Sequence, residues 1–364
     1  MHITLDTEEL YNKLELVGRV STKHVTLPVL QCVLIEVKNK VVTIKATNLE
    51  IGIESVVTAE IEEEGIVAVP SSVLIQTINL ITHKKVTLRL EDNTLVVEGD
   101  GSETQIKSIP HDEFPTIPKL KGEGQTIQNN FFSLGIKTAA FAASQSSIKP
   151  ELGSVYIFQK KEHSLTFVAT DSFRLMEKTV PQKNLVFEES ILIPQKNAIE
   201  LARICDLKNT DPICRVNENQ FALEFEDGVY VTSRLTAGSF PDYVQIIPKE
   251  YVTHTTFLKN DLIHAFKKTN IFLNKFFQVG IHVTNNSLTI HANSGDVGTT
   301  TESVKATTEG EDLTLNFNQR YVSESLSHIG SDSLVFHFAG IGRPMVMEGI
   351  DDKSLRYLVM PMNK

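Results

Sequence analysis

The residues able to do chemistry in this chain are scattered rather than gathered. Its three cysteines, Cys32, Cys205 and Cys214, stand far apart and form no Cys-x-x-Cys pair. They read as small buried hydrophobes in a reducing compartment, which points to the cytoplasm. The eleven histidines include no His-Glu-x-x-His, and His282 and His291 have no cysteines at zinc spacing. There is no Gly-x-x-x-x-Gly-Lys-Ser/Thr loop and no Gly-x-Ser-x-Gly elbow. Gly340-Ile341-Gly342 lacks the third glycine of a dinucleotide fingerprint and falls between two alternating runs, where a tight turn is expected. Asp351-Asp352 is a carboxylate pair in an acidic loop before the last strand, without further groups for metal or acid-base work. The expectation is a protein with no catalytic residues, no metal and no cofactor.

A repeat organises these residues. Thr43–Glu50, Thr166–Phe173 and Thr289–Asp296 each combine a strand, a small residue and a polar turn, and Ala46, Ala169 and Ala292 recur 123 residues apart. An amphipathic helical pattern precedes each stretch. The first runs from Thr7 to Val20 with Leu10, Leu14 and Val17 on one face, the second from Phe131 to Ala143, and the third from Lys259 to Thr269, where Asn260-Asp261 can cap it. A second helix recurs after Val69-Pro70-Ser71, Ile193-Pro194-Gln195 and Phe317-Asn318-Gln319. The second of these carries Ile199, Leu201, Ala202 and Ile204 as its apolar positions. Each unit then closes in alternating strands around a turn, as in 86–90 and 94–98. The fold class is α+β: three tandem copies of one domain at 1–122, 128–247 and 251–364, with antiparallel sheets covered on one face by two helices each.

Composition sets the outer limits. The 364 residues, 41 % hydrophobic, suffice for two or three cores. No run of eighteen apolar residues occurs, and the N-terminus lacks the basic start and apolar stretch of a signal peptide, so no membrane partner is expected. The net charge of −10 argues against phosphate binding unless the cations share one face.

Five motifs stand in a telling order: Thr26-Leu27-Pro28-Val29-Leu30, Ala46-Thr47-Asn48-Leu49-Glu50, Val168–Leu175, Phe240-Pro241-Asp242-Tyr243 and Val359-Met360-Pro361-Met362. On them, over its whole length, the chain resembles the β sliding clamps of bacterial DNA polymerase III. The resemblance implies a head-to-tail homodimer, a six-domain ring with helices lining the hole and sheets outside. Such a ring encircles duplex DNA without sequence readout and tethers the replicative polymerase, the clamp loader and other proteins carrying clamp-binding motifs. Heterologous contacts close into rings when the rotation allows.

The resemblance also implies sites. A hydrophobic groove between the second and third domains, for short linear peptides, would use Leu152, Thr170, Ser172, Phe173, Arg174, Leu175, Pro241, Ile246, Asn318, Tyr321, Pro344, Val359, Met360, Pro361 and Met362. Methionines suit a surface shared by several partners. The chain departs from the family pattern here: Ser172-Phe173 replaces Gly-His, and Val244-Gln245 replaces a basic residue after Tyr243. Lys13, Arg19, Lys23, His24, Lys137, Lys196, Arg203, Lys267, Lys268 and Arg320 would face DNA loosely, with the acids on the outer surface. At the ring interface Ile106 would meet Ile271 and Phe272, with Lys107 near acids such as Glu302. Two other readings stay open on residues alone. A monomeric repeat scaffold would bind proteins but not DNA, and its charge would not segregate to the helices. An enzyme would carry a cluster of perturbed ionisable groups at a domain joint.

Overall fold

The structure is a computed structural model that describes residues 1–21, 26–146, 148–183, 185–187, 189–285 and 287–362. In the first repeat the order is β1 (His2–Asp6), α1 (Thr7–Gly18), β2 (Cys32–Lys38), β3 (Val41–Thr47), β4 (Ile51–Val57), β5 (Ala59–Glu63), β6 (Gly65–Pro70), α2 (Ser71–Asn79), β7 (Lys85–Glu91), β8 (Thr94–Gly99) and β9 (Ser102–Lys107). The second has β10 (Gln125–Thr126), α3 (Asn129–Ala139), β11 (Ser154–Phe158), β12 (Ser164–Thr170), β13 (Arg174–Pro181), β14 (Ile191–Pro194), α4 (Gln195–Asp206), β15 (Ile213–Val216), β16 (Gln220–Glu224) and β17 (Val229–Arg234). The third has β18 (Thr253–Leu258), α5 (Lys259–Thr269), β19 (Gln278–Thr284), β20 (Ser287–Ser294), β21 (Gly298–Gly310), β22 (Leu313–Asn318), α6 (Gln319–Leu326), β23 (Ser333–Phe338), β24 (Met345–Gly349) and β25 (Leu355–Val359). The expected repeat is therefore present: strand, helix, a group of strands, helix, three strands.

Two helix starts differ from expectation. Leu258, not Asn260 or Asp261, occupies the N-cap of α5 and makes no side-chain bond there. Asn260 and Asp261 lie inside the first turn, where acidic Asp261 meets the positive end of the helix dipole. Pro70 caps α2 rather than entering its first turn. The helices also end earlier than their apolar patterns: α1 stops at Gly18, and the second pattern finishes as a 3-10 turn at Ala140–Ala142. On α4, Ala198, Leu201 and Ala202 are buried but Ile199 is exposed.

The chain folds as two compact units, Met1–Asn129 with Arg203–Leu235 and Asn130–Ala202 with Thr236–Lys364. The first holds a five-stranded sheet, β5-β1-β7-β8-β9, and an eight-stranded sheet, β10-β15-β16-β17-β4-β3-β2-β6. The second holds one twelve-stranded sheet, β14-β11-β12-β13-β25-β24-β23-β18-β21-β20-β19-β22. All the paired strands run antiparallel. The central repeat divides between the units because each of its sheets is continued by a neighbour's strand. β17 pairs with β4 from Val229↔Ser55 to Ser233↔Ile51, and β25 pairs with β13 from Leu355↔Lys178 to Val359↔Arg174.

Helices sit tightly on sheets. Leu10, Leu14 and Val17 of α1, Leu74 and Ile78 of α2, and Leu262 and Phe266 of α5 are buried. A Cβ on Gly135 of α3 would run into the ring of Phe167, so only glycine allows that approach. Phe167 is fully buried, edge-on to Phe132 at 5.8 Å. Phe167→Ala is expected to cost about 3–5 kcal/mol through the cavity it leaves, read as a lower denaturant midpoint.

Candidate functional site

The β12–β13 turn is built by its own side chains. Thr170 Oγ1 donates to the Arg174 carbonyl at 2.6 Å and accepts from the Ser172 N–H at 3.1 Å. Asp171 Oδ1 accepts from the N–H groups of Phe173 and Arg174 at 2.9 and 3.0 Å. These bonds hold Ser172 at φ 77°, a left-handed conformation that favours glycine. The first repeat makes the same turn with Thr47, Asn48 and Ile51, and Leu49 takes the same φ of 77°.

Arg174 is the polar centre of the site. Its Nε donates to Asp171 Oδ2 at 3.0 Å, Nη2 to the Phe141 carbonyl at 3.0 Å, and Nη1 to Glu324. The guanidinium lies over the rings of Tyr321 at 4.7 Å and Phe141 at 5.4 Å. Burial works against its charge, but the Glu324 hydrogen bond and the neighbouring acids more than offset it and hold its pKa above the ordinary range. Beneath, fully buried Tyr357 donates to the Tyr321 carbonyl at 2.9 Å, and burial keeps its hydroxyl protonated. The perturbed groups at this joint are thus an arginine held charged, tyrosines held neutral and the half-buried His328, whose pKa burial lowers.

Of the apolar candidates, Val359, Met360 and Leu175 adjoin this turn. Val359 pairs with Arg174, and the Met360 N–H donates to the Phe173 carbonyl at 2.8 Å, so the exposed Phe173 ring stands beside Met360. Leu175, on the opposite strand face from Arg174, is buried with Val168, Tyr243, Val346 and Leu358, and Met360 packs against that cluster. Exposed Ile246 ends the 3-10 turn Tyr243–Ile246 and lines a cleft with Arg343 and Pro344. Pro241 is exposed, and Pro361 half-buried. Met362 bridges to Asn316 through a 2.7 Å backbone bond, near Asn318, whose side chain caps α6. Leu152 is buried in the turn before β11, its N–H bonded to the Lys149 carbonyl at 3.0 Å. Sequence reasoning missed Phe141, Asp171, Glu324, His328 and Tyr357. Glu324 lies three residues after Tyr321 on one helix face, a spacing that could have revealed it.

The candidate cations all lie on or beside helices, with Lys23 and His24 outside the described residues. Arg19, Lys137, Lys196, Arg203, Lys267, Lys268 and Arg320 are exposed. Lys13 is not: it shares Asp227 with Lys208 at 2.8 and 2.6 Å. Lys268 pairs with Glu302 at 2.8 Å, and Arg320 lies over the Phe277 ring at 3.3 Å. The expected removal of acids from the helices is incomplete. Glu8, Glu9 and Glu15 sit on α1, Glu200 and Asp206 on α4, and Asp261 on α5. Glu8, Glu9 and Asp261 occupy first turns, where helix dipoles favour them, and Glu324 of α6 holds Arg174.

Two strands present open edges at the expected interface residues. Among the described residues β9, carrying Ile106 and Lys107, pairs only with β8. β21 pairs with β20 over Gly298–Lys305 and with β18 only beyond, so its first half, including Glu302, has one free side. Ile271 and Phe272 form the 3-10 turn after α5, with Ile271 67 % exposed.

Comparison with known proteins decides the family. The N-terminal domain model of the DNA polymerase III beta subunit matches residues 1–118, the central-domain model 126–242 and the C-terminal-domain model 244–363. The chain belongs to the DNA polymerase III beta subunit family. Among curated members it is 27 % identical over 371 residues to the beta sliding clamp of Pseudomonas aeruginosa, covering 100 % of both. It is 26 % identical to the beta sliding clamp of Synechococcus elongatus, covering 100 % of this chain and 99 % of that one. The crystal structure of the Pseudomonas aeruginosa beta subunit superposes with a TM-score of 0.94 at 25 % identity over 100 % of both chains. That of Thermotoga maritima gives 0.93 at 25 % identity over 100 % of this chain and 99 % of that one. A Pseudomonas aeruginosa clamp bound to griselimycin also matches over 100 % of both chains, with a TM-score of 0.93 at 25 % identity. This beta subunit family fold thus comprises three tandem clamp domains.

Two outcomes follow from the site geometry. Ser172→Gly relieves a left-handed serine and is expected to stabilise the protein by roughly 1 kcal/mol in chemical denaturation. His328 stacks on Phe141 at 4.4 Å, and burial lowers its pKa against the opposite pull of Glu324. The unfolded chain therefore takes up this proton first, and its contribution is present above, and lost below, the ordinary histidine value of 6.5. Melting temperatures from pH ~7.5 to ~5 should fall more steeply for the wild type than for His328→Phe.

Proposed function

We propose that this chain is a DNA sliding clamp. Two copies close head to tail into a ring around duplex DNA and tether the replicative polymerase, the clamp loader and other motif-bearing proteins through the groove at Arg174 and Met360. It confers processivity and performs no chemical step itself.

The pattern of strand use carries this reading. Each repeat has an acceptor strand after its polar turn (β4, β13, β21) and a last strand that can donate an edge (β9, β17, β25). β4 takes β17 of the next repeat, and β13 takes β25. The free half of β21 and the strand β9 are the unused acceptor and donor. A second copy satisfies both, through Ile106 and Lys107 on one chain and Ile271, Phe272 and Glu302 on the other. The opposite edge of the sheet that ends in β9, β5, carries Glu60, Glu62 and Glu63, which discourage pairing. A monomeric scaffold leaves the open pair unexplained.

The exposed cations on α3, α4, α5 and α6 supply non-specific phosphate attraction. The groove residues are those named above, and the domain limits are 1–122, 128–247 and 251–364. A cytoplasmic location fits three buried free cysteines, and no described helix is long and apolar enough to cross a membrane.

Solution mass and DNA retention test the ring. The wild type is expected to be a dimer at ~1 μM, retained on nicked circular DNA and lost when that DNA is linearised. Ile271→Asp/Phe272→Asp should be monomeric and unretained. A monomeric wild type that stays on neither DNA removes the reading.

A further inference from the structure

The joint inside the second unit is a template for the contact between copies. There α6 docks on the 3-10 turn after α3: His328 stacks on Phe141, and Glu324 bonds Arg174, which lies over Tyr321. Counting from the helix caps Pro70 and Asn318, the positions of Tyr321, Glu324 and His328 on the third repeat become Val73, Gln76 and Leu80 on the first. Phe141, the middle of its turn, becomes Ile271, the middle of the turn Asn270–Phe272 after α5. Arg174, the first residue of β13, becomes Gly298, the first of β21. Every charged or aromatic group of the internal joint is thus replaced by an uncharged one. The apolar replacements are left in water within one chain: Val73 is 46 %, Leu80 79 % and Ile271 67 % exposed.

The strand ladder follows the same rule. The existing joints pair the first residue of the acceptor with the end of the donor, Ile51 with Ser233 and Arg174 with Val359. Carried to the open edges, this register sets Gly298 beside Ile106 and places Thr299, Thr300 and Thr301 opposite Gln105, Thr104 and Glu103. No opposite charges face each other. The two acids on the paired stretches already have cations in their own chain: Glu302 has Lys268 at 2.8 Å, and Glu103 has Arg89 at 3.8 Å.

We infer that the contact between two copies of this chain is held without ion pairs along its strand ladder: β9 and α2 of one copy seat on β21 and the 270–272 turn of the other, through a threonine ladder and Leu80 on Ile271. This rests on the ring reading above. Apolar and backbone contacts are not screened by salt, so association is salt-tolerant.

The dimer dissociation constant, measured by sedimentation at ~50 mM and ~500 mM NaCl, is expected to change less than about threefold. Leu80→Glu should weaken it at least ~30-fold at unchanged melting temperature of the monomer, and Leu80→Met should leave it nearly unchanged. A dimer that weakens tenfold or more with salt, or one indifferent to Leu80→Glu, overturns this inference and leaves the ring intact. A wild type monomeric at every concentration and salt overturns the ring reading, and this inference with it.

Discussion

A strand at the edge of a sheet carries a row of N–H and C=O groups that must find partners in water or in protein. Every level of this structure depends on how those edges are satisfied. β17 fills the open side of β4, and β25 fills that of β13. Each ladder hydrogen bond contributes only about 1 kcal/mol net, but the pairing fixes register, and register fixes which side chains meet at the joint. The same pairing explains why the central repeat is shared between two compact units: its two sheets are extended by different neighbours.

The candidate groove is a by-product of that arrangement. The turn that ends β12 must expose its chain so that β25 can join β13, and the Thr170–Asp171 bonds shape it for that purpose. Phe173 and Met360 become neighbours because they follow the ladder outward. Arg174 then links the turn to α6 through Glu324 and to the end of α3 through the Phe141 carbonyl. A guanidinium suits this position because its donors diverge in a fixed fork, which a lysine cannot reproduce. The side chains of Phe173 and Ile246 stay exposed, while the Arg174 guanidinium is already satisfied.

Charge behaves less simply than shape. Exposed cations lie on four of the helices, but acids share them where helix dipoles or Arg174 require a carboxylate. Attraction to phosphate therefore rests on a mixed surface, which suits loose, sequence-independent contact.

The sequence by itself determined the repeat, the α+β class and the helix faces. Apolar spacing of 3.6 and 2 residues and the turn residues at Asn48, Asp171 and Ser294 are local properties. The motifs around Arg174, Pro241 and Met360 were also legible as short patterns. Only the tertiary structure decided what those patterns touch. Helix caps went to Leu258 and Pro70 because strands enter the helices directly there. Ile199 faces water although its type suggested a core, since one helix face can be covered only once. Lys13 was spent on Asp227, more than two hundred residues away, and Arg174 on Glu324. Long-range pairing of this kind leaves no periodicity in the chain, because it depends on which strand joins which edge.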